Sequence, residues 1–178
     1  STAMGSSVND NFTGMAMNNT GKAAFAFWFS GELEGPLFEQ TLVCPPQSSY
    51  CSFLGLLQSS GGELSTFNYC ASPGGAKSMG VGIYAQQPLM TGMFTDNINC
   101  DMVNNSSLQG QQDDRLQGFV VAYLEDGSIP DFVETHEATD SFFTVDGFHY
   151  NQILYLVGGF SGTFDLDSLH RFTSREDD

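Results

Sequence analysis

Two groups of aspartates have a spacing that would suit a metal-binding site. Asp165 and Asp167 are two residues apart, which in an extended strand places both carboxylates on one side, about 7 Å apart. Asp96 and Asp101 bound a second oxygen-rich segment, which also contains two asparagines. Calcium binds about six to eight oxygens, so these four aspartates are the candidate metal ligands and Ca²⁺ is the candidate cofactor. The alternative is that these carboxylates form a solvated strand end and a turn.

The segment from His136 to Asp140 comes within one residue of the H-E-x-x-H zinc motif. Asp140 stands where the second histidine is required, and the neighbouring residues favour strand over helix. Because a zinc protease needs its two histidines one helical turn apart, the sequence argues against one. No segment places a nucleophile beside a base, so an enzyme would have to assemble its site from distant residues.

Trp28 is the only tryptophan, and it lies within an alternating aromatic run. The period of two places Phe25, Phe27 and Phe29 on one face of a strand and Trp28 on the other. An exposed indole stacks well on a sugar or on a partner protein, so Trp28 is the candidate ligand-binding residue. The alternative is that its ring packs against a neighbouring loop.

The four cysteines form an even set without the C-x-x-C spacing of a zinc ribbon or a redox site. Cys44 and Cys51 bound a short loop with two prolines, which favours the disulfides Cys44–Cys51 and Cys70–Cys100. Disulfides persist in oxidising compartments, so we expect a secreted, periplasmic or cell-surface protein. Free thiols in a reducing compartment are the alternative.

Turn residues between β-prone runs predict hairpins along the chain. Asp146 and Gly147 separate the runs 141–145 and 148–157, and an Asp-Gly pair favours a two-residue turn with positive φ at the glycine. A second Asp-Gly pair follows the run 119–124, and a looser turn follows the run 51–57; each predicts a further hairpin.

Helical periodicity is nearly absent, which favours an all-β fold. About nine antiparallel strands predict a single-domain antiparallel β-sandwich over residues 7–178, with a closed calycin-like β-barrel as the alternative. Residues 1–6 resemble a cloning remnant and are set aside from the fold. Glycines inside β-prone runs, among them Gly80 and Gly82, indicate bulges or sharp bends.

The charge balance excludes some partners. The 178 residues carry a net charge of −16, and sixteen of the 21 acids lie from Asp96 onward. Such a charge repels phosphate backbones and anionic lipid surfaces, so we expect neither nucleic acid nor direct membrane insertion.

These patterns together predict a non-enzymatic extracellular or cell-surface binding or adhesion module, and a larger surface assembly could include it as a subunit. Its expected partner is a protein or a carbohydrate on a surface. Two alternatives remain open at this point: a barrel that carries an apolar small molecule, and a small secreted hydrolase with paired carboxylates.

Overall fold

The computed structural model describes residues 5–6, 9–35, 41–58, 64–84, 86–101, 106–108, 115–124, 130–136, 138–150, 153–165 and 169–174. Within these ranges every regular element is a strand, the strands pair antiparallel, and no helix occurs. The all-β prediction is therefore confirmed. In the same residues no helix has the length and apolar character needed to cross a membrane.

The strands form two large sheets and three small ones. The bounds in chain order are β1 Gly5–Ser6, β2 Asn9–Met17, β3 Ala23–Ser30, β4 Glu32–Glu34, β5 Leu42–Val43, β6 Cys51–Leu57, β7 Leu64–Ala71, β8 Ala76–Tyr84, β9 Gln87–Phe94, β10 Ile98–Asp101, β11 Ser106–Leu108, β12 Gln117–Tyr123, β13 Pro130–His136, β14 Ser141–Tyr150, β15 Ile153–Ser161, β16 Thr163–Asp165 and β17 Arg171–Thr173. The six-stranded sheet has the order β11-β10-β7-β6-β3-β2, and the four-stranded sheet has the order β13-β12-β9-β8. A three-stranded sheet (β1-β4-β5) and the pairs β14-β15 and β16-β17 complete the described part.

The two large sheets pack face to face around the main core. The six-stranded sheet contributes small and aliphatic side chains such as Ala24, Ala26 and Leu54, and the four-stranded sheet contributes larger ones such as Phe94 and Phe119. Small residues on one sheet make room for rings from the other, as close packing requires. Tyr123 is 1% exposed in this core, and its hydroxyl donates to the carbonyl of Cys100.

The other face of the six-stranded sheet carries a second core built of phenylalanines. Phe25, Phe27 and Phe29 alternate with the inward alanines of β3 and share one buried cluster, so the predicted aromatic face is confirmed. Phe53 of β6 stacks on Phe27 with ring centroids 4.6 Å apart. Leu33 of β4 and Leu42 of β5 pack in the same cluster, so the three-stranded sheet forms a further layer over this face.

The outer face of the four-stranded sheet is covered by the β14-β15 hairpin. Leu154 and Leu156 of β15 pack on a small buried cluster of Leu89, Val120 and Ala122. β14 lies directly over glycines of the sheet: a Cβ added at Gly80 would stand 2.7 Å from the Cα of Asp146. The glycines thus allow the hairpin backbone to approach the sheet closely.

The described strands form several antiparallel sheets, so the single nine-strand sandwich that the sequence predicts is not confirmed. The pairing of the described strands also closes no barrel, so the calycin-like alternative is not supported. Alternation of side chains cannot reveal extra layers, because a strand buried on both faces resembles any other apolar run. Gly5–Ser6, which the sequence analysis set aside, forms a strand paired with β4.

The predicted Asp146-Gly147 turn is wrong, although the hairpin exists. Both residues lie inside β14, opposite Val157 and Leu156, beyond a register shift that follows Thr144. Gly147 does not have a left-handed φ; a Cβ there would stand 3.0 Å from Thr91 Cγ2. The glycine therefore serves close packing rather than a turn. The other predicted hairpins, β6-β7 and β12-β13, are paired as expected.

Both predicted disulfides are present. Cys44–Cys51 joins the segment after β5 to the start of β6, and Cys70–Cys100 joins β7 to β10 within the six-stranded sheet. All four residues are buried. Two such bonds indicate an oxidising environment of the extracellular type.

Candidate functional site

The structure gives Asp165 a specific partner. Its two carboxylate oxygens accept hydrogen bonds from Nε and a terminal nitrogen of Arg171, at 2.7 and 3.0 Å. The hydrogen bond from Arg171 lowers the pKa of Asp165 below its usual value. A Ca²⁺ ion at this carboxylate would compete with the guanidinium for the same oxygens. Asp167, the second proposed ligand there, lies outside the described residues.

The other proposed calcium pair is only partly visible. Asp96 follows β9 with a φ of 65°, and Asp101 ends β10, where the structure describes its backbone alone. Within the described ranges no three His, Cys, Asp or Glu side chains form a metal-binding group. The calcium site stays a prediction.

The near-zinc motif lies on a strand. His136 is the last residue of β13, so the helix that a zincin requires is not found at this position. The paired-carboxylate hydrolase stays a prediction.

Trp28 is half-buried and already contacts one aromatic ring and one ammonium group. The Tyr50 ring meets it edge-on with centroids 4.8 Å apart, and the Lys77 ammonium lies 4.9 Å from the Trp28 centroid and 4.2 Å from the Tyr50 centroid. This contact joins the six-stranded sheet to β8 of the four-stranded sheet through a cation–π interaction. The arrangement agrees with a packing role; binding of an external ligand by Trp28 is not tested.

An exposed apolar row on β2 is the most distinctive surface in the described part of the chain. Phe12, Met15 and Met17 are 63%, 58% and 65% exposed. We call these three residues the β2 row. They lie opposite Phe27, Phe25 and Ala23 of β3, on the outer face of the six-stranded sheet. The row is therefore an uncovered continuation of the phenylalanine core.

A depression lies beside the row. Its volume is about 310 Å³, and its described lining consists of Asp10, Asn11, Phe12, Phe27 and Leu33. Phe27 and Leu33 are almost fully buried. This volume is at the lower end of the range of ligand pockets, and an apolar surface with few polar groups is typical of such sites.

A β-bulge brings the row onto one face. The register with β3 shifts between Phe12 and Gly14, so Thr13 is an extra residue in β2. Its hydroxyl lies 3.0 Å from the carbonyl oxygen and 2.7 Å from the hydroxyl of Ser78 in β8. The bulge thus directs Thr13 toward the four-stranded sheet, while Phe12 and Met15 both face outward.

Sequence reasoning missed this site. The sequence analysis above predicts no strand over residues 9–17, and regular alternation would place Phe12 and Met15 on opposite faces. The one local signal was the dense apolar spacing of Phe12, Met15 and Met17 in a segment otherwise rich in asparagine and other small polar residues. That signal does not reveal a bulge.

A second exposed apolar face lies on β15. Ile153, Tyr155 and Val157 are exposed and alternate with the inward Leu154 and Leu156. The depression described above lies beside the β2 row, and none of these β15 residues lines it. The β2 row with its depression is therefore the better candidate.

Comparisons with models of known protein families, with curated proteins and with solved structures found no match.

Proposed function

We propose that the chain is a non-enzymatic extracellular or cell-surface binding module that holds an apolar segment of another protein against the β2 row. The observation that supports this proposal most directly is the β2 row, which continues the phenylalanine core into solvent beside a depression of about 310 Å³. Contiguous apolar surface of this kind is typical of interaction sites in folded proteins.

The chemistry of the row supports a protein partner more than a carbohydrate. Two of its three members are methionines, whose flexible thioethers adapt to varied apolar side chains. Sugars favour a flat aromatic face, and the Trp28 indole is engaged with Tyr50 and Lys77. The buried disulfides support a scaffold that holds this surface in an oxidising environment.

The proposal can be tested by selecting peptides from a random display library on the folded protein. The double variant Phe12→Ser/Met15→Ser removes most of the row without touching the buried core. The variant Phe172→Ser is the matched control, because Phe172 is also exposed, at 47%, but lies on β17.

Selected peptides should bind the double variant at least roughly tenfold more weakly, since burying one large apolar side chain contributes about 1.5–3 kcal/mol. They should bind Phe172→Ser like the wild type, and circular dichroism should show equal folding for all three proteins. The proposal is wrong if no peptide is enriched, or if the enriched peptides bind the double variant unchanged.

A further inference from the structure

β2 is an edge strand of the six-stranded sheet. It pairs with β3 on one side, and no strand in the described part of the chain pairs with its other side, which we call the open edge. None of the nine residues of β2 is buried, whereas six of the eight residues of β3 are. An edge of this kind presents backbone donors and acceptors that a further strand can pair with.

The turn after β2 shows which backbone groups point to the open edge. The Asn18 N–H donates to the carbonyl of Lys22 at 3.0 Å, so these two residues form a hydrogen-bonded pair across the hairpin. Bonded and non-bonded pairs alternate along antiparallel strands. Met17 and Met15 lie one and three positions before Asn18 in unbroken register, so both are in non-bonded pairs with β3. Their N–H and C=O groups therefore point to the open edge.

The neighbouring sheet approaches β2 from the inner face. Val81 and Ile83 of β8 pack against the main core, and a Cβ added at Gly14 would stand 3.2 Å from Val81 Cγ1. Met15 and Met17 lie on the outer face and are 58% and 65% exposed. The open edge beside these two methionines is therefore accessible in the described structure.

The sequence of β2 differs from that of two other edge strands. Edge strands are commonly protected from further pairing by short length, by proline or by charged side chains. β11 has three residues, and β13 begins with Pro130 and contains Asp131 and Glu134. The stretch Gly14–Met17 contains neither proline nor a charged residue. The bulge at Thr13 limits pairing to this stretch, because a bulge interrupts a ladder.

Resting on the proposed function, we infer that the partner is an extended segment of another protein, which adds to β2 as an antiparallel strand opposite Met15 and Met17. Antiparallel addition continues the pattern of this sheet. Residues of a hydrogen-bonded antiparallel pair exchange both backbone bonds and place their side chains on one face. The partner residues opposite the two methionines thus bond to the open edge and pack their side chains on the β2 row.

This mode of binding divides the work between backbone and side chains. Main-chain hydrogen bonds supply affinity, and every second side chain of the added strand supplies specificity through the apolar row. A second copy of the chain is the less favourable occupant, because two bodies of net charge −16 repel each other.

N-methylation of a bound peptide tests the inference, because it removes one backbone N–H and leaves the side chains unchanged. The probe is a peptide from the display selection whose binding depends on the β2 row. It is synthesised with a single N-methyl group at each position in turn, and each version is titrated into the wild type by isothermal titration calorimetry. An alanine scan of the same peptide identifies the side chains that contribute.

N-methyl groups at alternate positions should weaken binding at least about fivefold, because each removes a hydrogen bond to the open edge. The intervening positions should tolerate the methyl group within about twofold, since their N–H groups point away from β2. The positions that are sensitive to alanine should be the same alternate ones, as antiparallel pairing requires.

Two variants of the protein test the edge itself. Met17→Pro removes an N–H that points to the open edge, and an edge strand accommodates proline at such a position. Met17→Ala is the matched control, because it also removes the thioether but keeps the donor. The peptide should bind Met17→Pro at least about threefold more weakly than Met17→Ala, with equal circular dichroism spectra for both proteins.

The possible failures are distinguishable. If the peptide depends on the β2 row but N-methylation shows no alternation, strand addition is wrong and the proposed function stands. If the alanine-sensitive and methyl-sensitive positions interleave instead of coinciding, the antiparallel arrangement is wrong. If sedimentation shows a dimer that Met17→Pro abolishes, a second copy occupies the edge and the inference is wrong. If no peptide depends on the β2 row, both proposals are wrong.

Discussion

Substitution of Gly80 tests whether the β14-β15 hairpin packs on the four-stranded sheet, because the β14 backbone lies directly over Gly80. In Gly80→Ala the new Cβ would stand 2.7 Å from the Cα of Asp146 and 2.7 Å from Thr91 Oγ1, where ordinary contact begins at 3.4 Å. The hydroxyl can rotate away, but the Cα belongs to the backbone. The substitution therefore has to lift β14 by at least several tenths of an ångström from the sheet.

The expected loss of stability follows from two opposing terms. Overpacking against backbone costs about 2–3 kcal/mol, near the upper part of its usual range. Alanine regains about 0.5–1 kcal/mol, because it loses less backbone entropy than glycine when it enters a strand. We expect a net destabilisation of about 1–2.5 kcal/mol, which for a domain of this size lowers Tm by roughly 2–10 °C.

Thermal unfolding followed by circular dichroism measures this shift, and amide hydrogen exchange locates it. Exchange should accelerate first in β14 and β15, because the hairpin is the displaced element. Gly14→Ala is the matched control, since its Cβ would meet a single methyl, Val81 Cγ1, at 3.2 Å. If Gly80→Ala melts within about 1 °C of Gly14→Ala and the wild type, the close approach of the hairpin is wrong.

Two other expectations concern the cysteines and the aspartates. Mass spectrometry after alkylation without reductant should find none of the four cysteines labelled, and labelling of the native protein would contradict both disulfides. Loss of Cys70–Cys100 should cost about 3–4 kcal/mol of stability and loss of Cys44–Cys51 about 2–2.5 kcal/mol, because Cys70–Cys100 closes the longer loop. Millimolar Ca²⁺ should raise Tm more than ionic-strength-matched NaCl does, because Ca²⁺ at a hundredfold excess over Kd adds about 2.7 kcal/mol to the free energy of unfolding. The rise should be larger in Arg171→Gln, where Asp165 is released. Superimposable melting curves in both proteins would rule out calcium binding.

Local patterns sufficed to predict several features of this fold. The alternation of Phe25, Phe27 and Phe29 fixed the face of β3, because side-chain direction in a regular strand depends only on neighbouring residues. The pairing Cys44–Cys51 followed from short sequence separation. Each of these inferences needs information from one segment alone, which is why it was accessible.

The hairpin turn was misplaced because one residue type serves two purposes. Gly147 next to Asp146 is typical of a tight turn, yet in the structure it allows β14 to pack on the four-stranded sheet. The residues around Gly147 are compatible both with a strand that ends at Val145 and with the observed strand, which continues to Tyr150. The difference lies in Gly80 and Gly82, which are more than sixty positions away in the chain.

The same dependence on distant residues applies to the candidate site. Phe12 and Met15 share a face only because Thr13 is the extra residue of a bulge, and the Thr13 hydroxyl is held by Ser78, 65 positions along the chain. Ser78 in turn lies beside the register shift of β8 that ends at Gly80, the residue on which the hairpin packs. The exposed row on one side of the molecule and the hairpin on the other are thus connected through the edge of the four-stranded sheet. A binding surface built in this way is set by the packing of whole sheets, so its residues are recognisable only once those sheets are in place.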